Sequence, residues 1–222
     1  MVVFGTRPEA IKLALVVEEL RRSPVFEPTV VVTGQHREML DQVLRVFDLA
    51  PDHDLNLIQP RQCLSGLTGE ALKRLGPLVE REAPGAVVVQ GDTTSTFTGA
   101  LAAFYNDVPV VHVEAGLRTG NPRSPFPEEI NRRLAGQLAA LHLAATPANR
   151  DNLLAEGVPP DKVFVTGNTV IDALVRAAAL PGDYDDPLLD GLDDDPRRVL
   201  VVTAHRRESW GPGMESIGRA LA

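Results

Sequence analysis

The residues that could do chemistry sit in polar clusters, each directly after a short apolar run. GTRPEAIK (5–12) places Arg7 and Lys12 around Pro8. Proline suits the first position of a helix, so both cations fall near a helix N-terminus, where free N–H groups and the helix dipole favour an anion. A phosphate or diphosphate fits there, although a plain strand-to-helix turn with solvated charges accounts for the same residues. The pattern is neither a P-loop nor GxGxxG and implies neither ATP nor NAD. VQGDTTST (89–96) sets Asp92 after an apolar run, either as a helix cap or as an acid or base. HVEAGLRTGNPRSPFPEEINRR (112–133) carries Glu114 where a run leaves the core, then Arg118, then Glu128 at a helix start. Two carboxylates at one strand edge suit general acid–base work, in which environment separates their pKa values. Singly, each acid has a structural reading, Glu128 as a first-turn dipole partner. Together, Asp92, Glu114 and Glu128 facing Arg7 favour the chemical one. TGQHREML (33–40) offers Gln35 and His36 at another helix start, and TAHRRES (203–209) supplies His205, Arg206 and Arg207.

Elements that would hold these clusters alternate along the chain. Strands are expected at 2–4, 28–33, 86–90, 108–113, 141–145, 162–166 and 199–203, with helical i, i+3, i+4 patterns between them. Strands that are apolar throughout and separated by helices imply a Rossmann-like α/β fold: a parallel sheet with helices on both faces. Ligands of such sheets sit beyond the carboxyl ends of the strands, which is where the polar clusters fall. PGDYDDPLLDGLDDDPRR (181–198) has no periodicity and reads as an acidic interdomain linker. As a calcium loop it fails, because Pro187 stands where a ligand is required. The expected organisation is a domain at 1–180, the linker at 181–198, and at 199–222 the first strand and partial helix of a second, incomplete domain whose His205 and Arg206 face the first across a cleft.

The chain has 222 residues, 44% of them hydrophobic, and a net charge of −8. That acidic balance argues against a generic nucleic-acid or anionic-membrane binder. Cys63 is the one cysteine, so there is no intrachain disulfide or cysteine cluster, in keeping with a reducing compartment. No apolar run approaches the ~20 residues of a membrane-spanning helix and no signal peptide is apparent; a cytoplasmic protein is expected.

Taken in series, GTRPEAIK, TGQHREMLDQVL, QGDTTS, HVEAGLRTG, PFPEEINRR, TGNTVIDAL and TAHRRES resemble the non-hydrolysing UDP-N-acetylglucosamine 2-epimerases, in that family's order. Each stretch is weak alone; the series is specific. The resemblance implies two similar Rossmann-like domains in a GT-B-type arrangement, of which this chain is the N-terminal half. It also implies interconversion of UDP-GlcNAc and UDP-ManNAc, by elimination of UDP to a 2-acetamidoglucal and its re-addition, without NAD or metal. Asp92, Glu114, Glu128 and His205 carry over as the catalytic set, with His205 also on the UDP phosphates. Arg7, Lys12, Arg118 and Arg206 carry over to substrate binding. Gln35 and His36 match a regulatory site for a second UDP-GlcNAc, but Glu38 and Glu70 depart from the family there and would repel a diphosphate. A homodimer is expected of the full-length protein. The first strand starts partway into the family's run, and the sequence stops early in the second domain, so an N-terminal portion of an epimerase is expected. The rival expectations are an inactive nucleotide-sugar-binding fragment, a hydrolysing epimerase and a retaining glycosyltransferase of the same architecture.

Overall fold

The computed structural model describes residues 1–34, 37–58, 62–180, 186–187, 189–204 and 211–221. Along the first 180 residues strands and helices alternate: β1 (Val2–Phe4), α1 (Arg7–Arg22), β2 (Val30–Val32), α2 (Arg37–Val46), β3 (His53–Asp54), α3 (Leu64–Glu82), β4 (Val87–Gln90), α4 (Thr94–Tyr105), β5 (Val110–Ala115), α5 (Glu128–Leu138), β6 (Leu141–Ala144), α6 (Pro147–Ala155), β7 (Val163–Val165) and α7 (Thr169–Ala178). The strands form one sheet in the order β3-β2-β1-β4-β5-β6-β7, and every pairing is parallel.

Successive residues of a strand point to opposite faces, so an unbroken apolar run is stable only when both faces are covered. Val2, Phe4, Val30 and Val32 turn to one face, against Ala10, Leu13 and Val17 of α1 and Leu40 and Leu44 of α2. Val3, Val31, Val87 and Val89 turn to the other, against Leu75 and Leu78 of α3 and Ala100 and Ala103 of α4. A smaller cluster of Ala115, Ala144, Leu153 and Val163 lies under α6. The connections from β1 and β4 leave in opposite directions along the sheet, which opens a crevice at the carboxyl ends of these two strands.

Two differences from the expected elements have physical causes. β3 was not foreseen: its two residues are His53 and Asp54, with no apolar run, and only pairing with Val31 and Val32 makes them a strand. The expected strand at 199–203 is the reverse case. Its pattern is right, yet the described residues 199–204 carry no strand pairing, and Leu200 and Val201 are exposed. A strand needs a neighbour to accept its ladder hydrogen bonds.

The chain divides into two compact units, Met1–Leu180 and Pro181–Ala222. In the second, a 3-10 turn at Leu192–Asp194 precedes α8 (Pro212–Leu221), and the Asp195 carboxylate pairs with Arg197 at 2.6 Å. Among the described residues no helix is long and apolar enough to cross a membrane.

Candidate active site

At the crevice between β1 and β4, the turn after β1 is drawn tightly inward. A side chain on Gly5 would place its Cβ 2.1 Å from Thr33 Oγ1 and 2.3 Å from Ser95 Oγ, so only glycine fits. Thr6 then caps α1 and forms a capping box with Glu9. Glu9 does more than a cap requires. Its buried carboxylate takes the Gly5 N–H (2.9 Å), the Thr6 N–H (2.8 Å) and the Thr6 hydroxyl (2.8 Å) on Oε2. Its Oε1 takes the hydroxyls of Thr93 (2.7 Å) and Thr96 (3.1 Å), which begin α4. One acid thus ties the loop after β1 to the loop after β4. Burial pushes its pKa up, opposed by the hydrogen bonds from Thr93, Gly5 and Thr6.

Beside this tie lies a cavity of about 430 Å³, lined by Arg7, Lys12, Asp92, Glu114 and Glu128 among others. Arg7 is exposed at the N-terminus of α1. Lys12, one turn on, reaches Glu114 Oε2 at 2.5 Å. Glu114 sits at an irregularity of the β5–β6 pairing and has φ +59°, in the left-handed region that residues with a Cβ seldom enter. The register shift and this φ turn its carboxylate to the rim of the sheet, where Gln90 Nε2 also donates to it at 3.0 Å. Asp92, next after the left-handed Gly91, is held by the buried guanidinium of Arg132 from α5. Glu128 begins α5, is half-buried, and lines both this cavity and a smaller one of about 280 Å³ beside Thr6 and Thr93.

A second buried acid supports the first set. Glu129 accepts the N–H groups of Thr119 (3.1 Å) and Gly120 (3.3 Å), together with Arg132 (3.2 Å) and Arg133 (3.1 Å). Burial opposes its charge, but these donors and the Arg132 charge outweigh it, and its pKa lies below the ordinary carboxylate value. Beneath the loop is His112, in the middle of β5 and fully buried. Its Nε2 lies 2.7 Å from the Gly91 carbonyl. Burial pushes its pKa down to about 4, so the ring is neutral and Nε2 is the protonated nitrogen, since a carbonyl can only accept.

Asp92, Glu114 and Glu128, read from the sequence as converging on one rim opposite Arg7, line one cavity together with Arg7 and Lys12. Arg118 does not join them. Its guanidinium forms a two-pronged pair with Glu156 of α6, at 2.8 and 2.7 Å, and its side chain is 8% exposed. In this structure its planar guanidinium meets a matching carboxylate, and the pair pins the loop after β5 to α6. Glu70, read as an acid facing a second ligand, is engaged by Arg74 at 2.6 Å. Gln35, His36, His205 and Arg206 lie outside the described residues, as does the Glu38 side chain. Sequence reading missed Glu9, Gln90, His112 and the support role of Glu129 and Arg132. The Thr6-x-x-Glu9 capping signature and the Glu129, Arg132, Arg133 spacing on one helix face were the available signals.

Comparison with known proteins bears on this geometry. The sequence pattern of the UDP-N-acetylglucosamine 2-epimerase family matches residues 18–222. The UDP-N-acetylglucosamine 2-epimerase of Bacillus subtilis is 52% identical over 221 residues, which is 100% of this chain and 57% of that protein. The crystal structure of UDP-GlcNAc 2-epimerase from Neisseria meningitidis bound to UDP-GlcNAc superposes with a TM-score of 0.75 at 53% identity, covering 78% of this chain and 48% of that one. The S. aureus MnaA–UDP co-structure gives a TM-score of 0.87 at 48% identity, covering 100% of this chain and 57% of that one. The chain thus spans 57–58% of the length of the first curated relatives it matches.

Proposed function

This chain belongs to the UDP-N-acetylglucosamine 2-epimerase family, and from that premise we propose that it supplies the acid–base half of an enzyme interconverting UDP-GlcNAc and UDP-ManNAc. The observation that carries this reading is the cavity at the β1–β4 crevice, where Asp92, Glu114 and Glu128 line one space with Arg7, Lys12 and a helix N-terminus. The C2–H bond of the sugar is weakly acidic. Departure of UDP makes C1 oxocarbenium-like, which acidifies C2, and nearby carboxylates stabilise that charge. Arg7, Lys12 and the amides opening α1 receive the departing diphosphate. Asp92, Glu114 and Glu128 remove the proton from C2 and return it to the other face of the 2-acetamidoglucal, after which UDP adds back. His205 and Arg206 belong to the same proposed set, toward the diphosphate. The uridine-binding half lies in the part of the relatives' length that this chain does not span. The assembled protein is a homodimer in this reading, which light scattering would check.

The test is proton NMR of UDP-GlcNAc in D₂O with a chimaera in which this chain replaces the matching portion of the Bacillus subtilis relative. Loss of the C2 proton signal as UDP-ManNAc appears is the expected outcome. A chimaera that binds UDP yet leaves the C2 proton in place overnight would overturn the proposal, and release of free ManNAc would point to a hydrolysing enzyme instead.

A further inference from the structure

We propose that His112 is a positioning residue for this chemistry: by holding the Gly91 carbonyl from beneath, it fixes the approach of the Asp92 carboxylate to the cavity. The inference rests on the role given above to Asp92, and it concerns a residue that does not itself line the cavity.

Gly91 lies between the last residue of β4 and Asp92, with φ +73°. There the backbone leaves the sheet, and its polar groups lose their places in the ladder. Both are recovered from β5. The Gly91 N–H donates to the Val113 carbonyl at 3.0 Å, and the Gly91 carbonyl accepts from His112 Nε2 at 2.7 Å. The peptide that joins Gly91 to Asp92 is therefore anchored at its oxygen by a side chain that is itself 0% exposed. Arg132 holds the other end, at the carboxylate. Held at base and tip, Asp92 has little freedom to swing. With the base released, the arginine would keep the carboxylate within reach of α5 while its angle to the cavity relaxed.

Packing alone does not explain a histidine here. His112 Nδ1 is buried without a hydrogen-bond partner, a cost that an aliphatic residue of similar size would avoid. What the imidazole adds is one donor aimed at the carbonyl that precedes Asp92. Misplacing a reacting group by about 1 Å costs ~100-fold in rate; a relaxed tether on Asp92 falls at or below that bound.

Two measurements decide the matter. The first uses this chain alone and requires no activity: amide hydrogen exchange at Gly91, compared with Val3 and Val31 in the same sample. His112→Leu removes the donor, and the Gly91 amide is expected to exchange at least ~10-fold faster relative to those core amides. His112→Gln carries an amide nitrogen at nearly the position of Nε2 and is expected to restore the native rate. Should the leucine variant fail to fold, His112→Asn, too short to reach Gly91, takes its place against His112→Gln. Equal relative exchange in wild type and the donor-free variant overturns the tether. The second uses the chimaera described above. His112→Leu is expected to lower kcat ~10–100-fold with KM for UDP-GlcNAc changed less than ~3-fold, and His112→Gln to recover most of kcat. Faster exchange at Gly91 with unchanged kcat overturns the positioning role but leaves the proposed function standing. A wild-type chimaera that binds UDP but does not epimerise counts against the proposed function, while the exchange measurement still judges the tether.

Discussion

Acid should unfold this protein partly through His112, and the size of the effect can be worked out. The unfolded imidazole has a pKa of 6.5, and burial lowers it to about 4 in the folded chain. The unfolded state therefore takes up the proton first as pH falls. The stability involved is present above pH 6.5 and drains away as pH drops toward 4. At about 1.4 kcal/mol per pKa unit the whole difference is about 3 kcal/mol, of which about 2 kcal/mol is lost between pH 7.5 and 5.0. Burial lowers the pKa of His142 in the same direction. The raised pKa of Glu9 works the other way, since a carboxyl that protonates more readily when folded adds stability on acidification. The raw pH slope mixes these groups, so the comparison must be with His112→Gln, which keeps the bond to Gly91 and removes the titration. Urea unfolding followed by far-UV circular dichroism at pH 7.5, 6.0 and 5.0 would measure it. For an m-value of ~2 kcal/mol/M the wild-type midpoint should fall ~1 M further than that of the variant by pH 5.0. Parallel midpoints for the two proteins across this range would refute the reasoning, because the buried ring would then be titrating as it does in the unfolded chain.

Other expectations follow from the same geometry. Asp92→Asn in the chimaera should lower turnover by at least ~100-fold, the scale of losing an acid–base group, and near-normal turnover would remove Asp92 from the mechanism. Glu9→Ala strips the acceptor from two backbone N–H groups, one of them buried, and three hydroxyls and should destabilise by ~3–5 kcal/mol in urea titrations, with Glu9→Gln clearly milder. Arg118→Met should lower thermal stability through the lost pair with Glu156, yet leave UDP affinity by calorimetry within ~2-fold; a larger loss of affinity would place Arg118 in the binding set. Arg7→Met should weaken UDP binding and flatten its salt dependence, because an exposed cation at a helix N-terminus acts chiefly through charge.

Much of the fold could be read because its evidence is local. Apolar runs such as VVF and AVVVQ have no alternating polar face, and only a doubly covered sheet makes sense of them. The residues around the cavity were legible for a related reason: Arg7 and Asp92 follow strands and Glu114 lies at the end of one, and a parallel sheet collects strand ends at one rim. What escaped depends on contacts remote in sequence. Arg118 and Glu156 are 38 residues apart, and nothing near Arg118 says whether it faces a ligand or a neighbouring helix. The Thr6–Glu9 signature marks a helix cap, but it carries no sign that the same carboxylate also reaches Thr93 and Thr96, 84 and 87 residues away. His112 was hidden inside an apolar strand, where a polar residue is a hint of burial with purpose but carries no address for its partner. The run at 199–203 shows the converse limit, since hydrophobicity describes a segment's capacity to pair, and the described residues 199–204 carry no strand pairing.

The hydrogen bond between Thr93 and Glu9 joins residues 84 apart, whereas that between Val30 and Asp52 joins residues 22 apart. Closing the longer loop costs about 1 kcal/mol more in chain entropy. The cavity therefore belongs to the late history of the molecule: the β1–β2–β3 edge can assemble from nearby sequence, while the crevice must wait until β4 finds β1. In pulse-labelled refolding, the amide of Thr96 is expected to gain protection after that of Val32. A nascent or partly unfolded chain would keep its hydrophobic edge and lose its cavity first, and a ligand that bridges the two central loops would act as a clasp on the longer-range of these two closures.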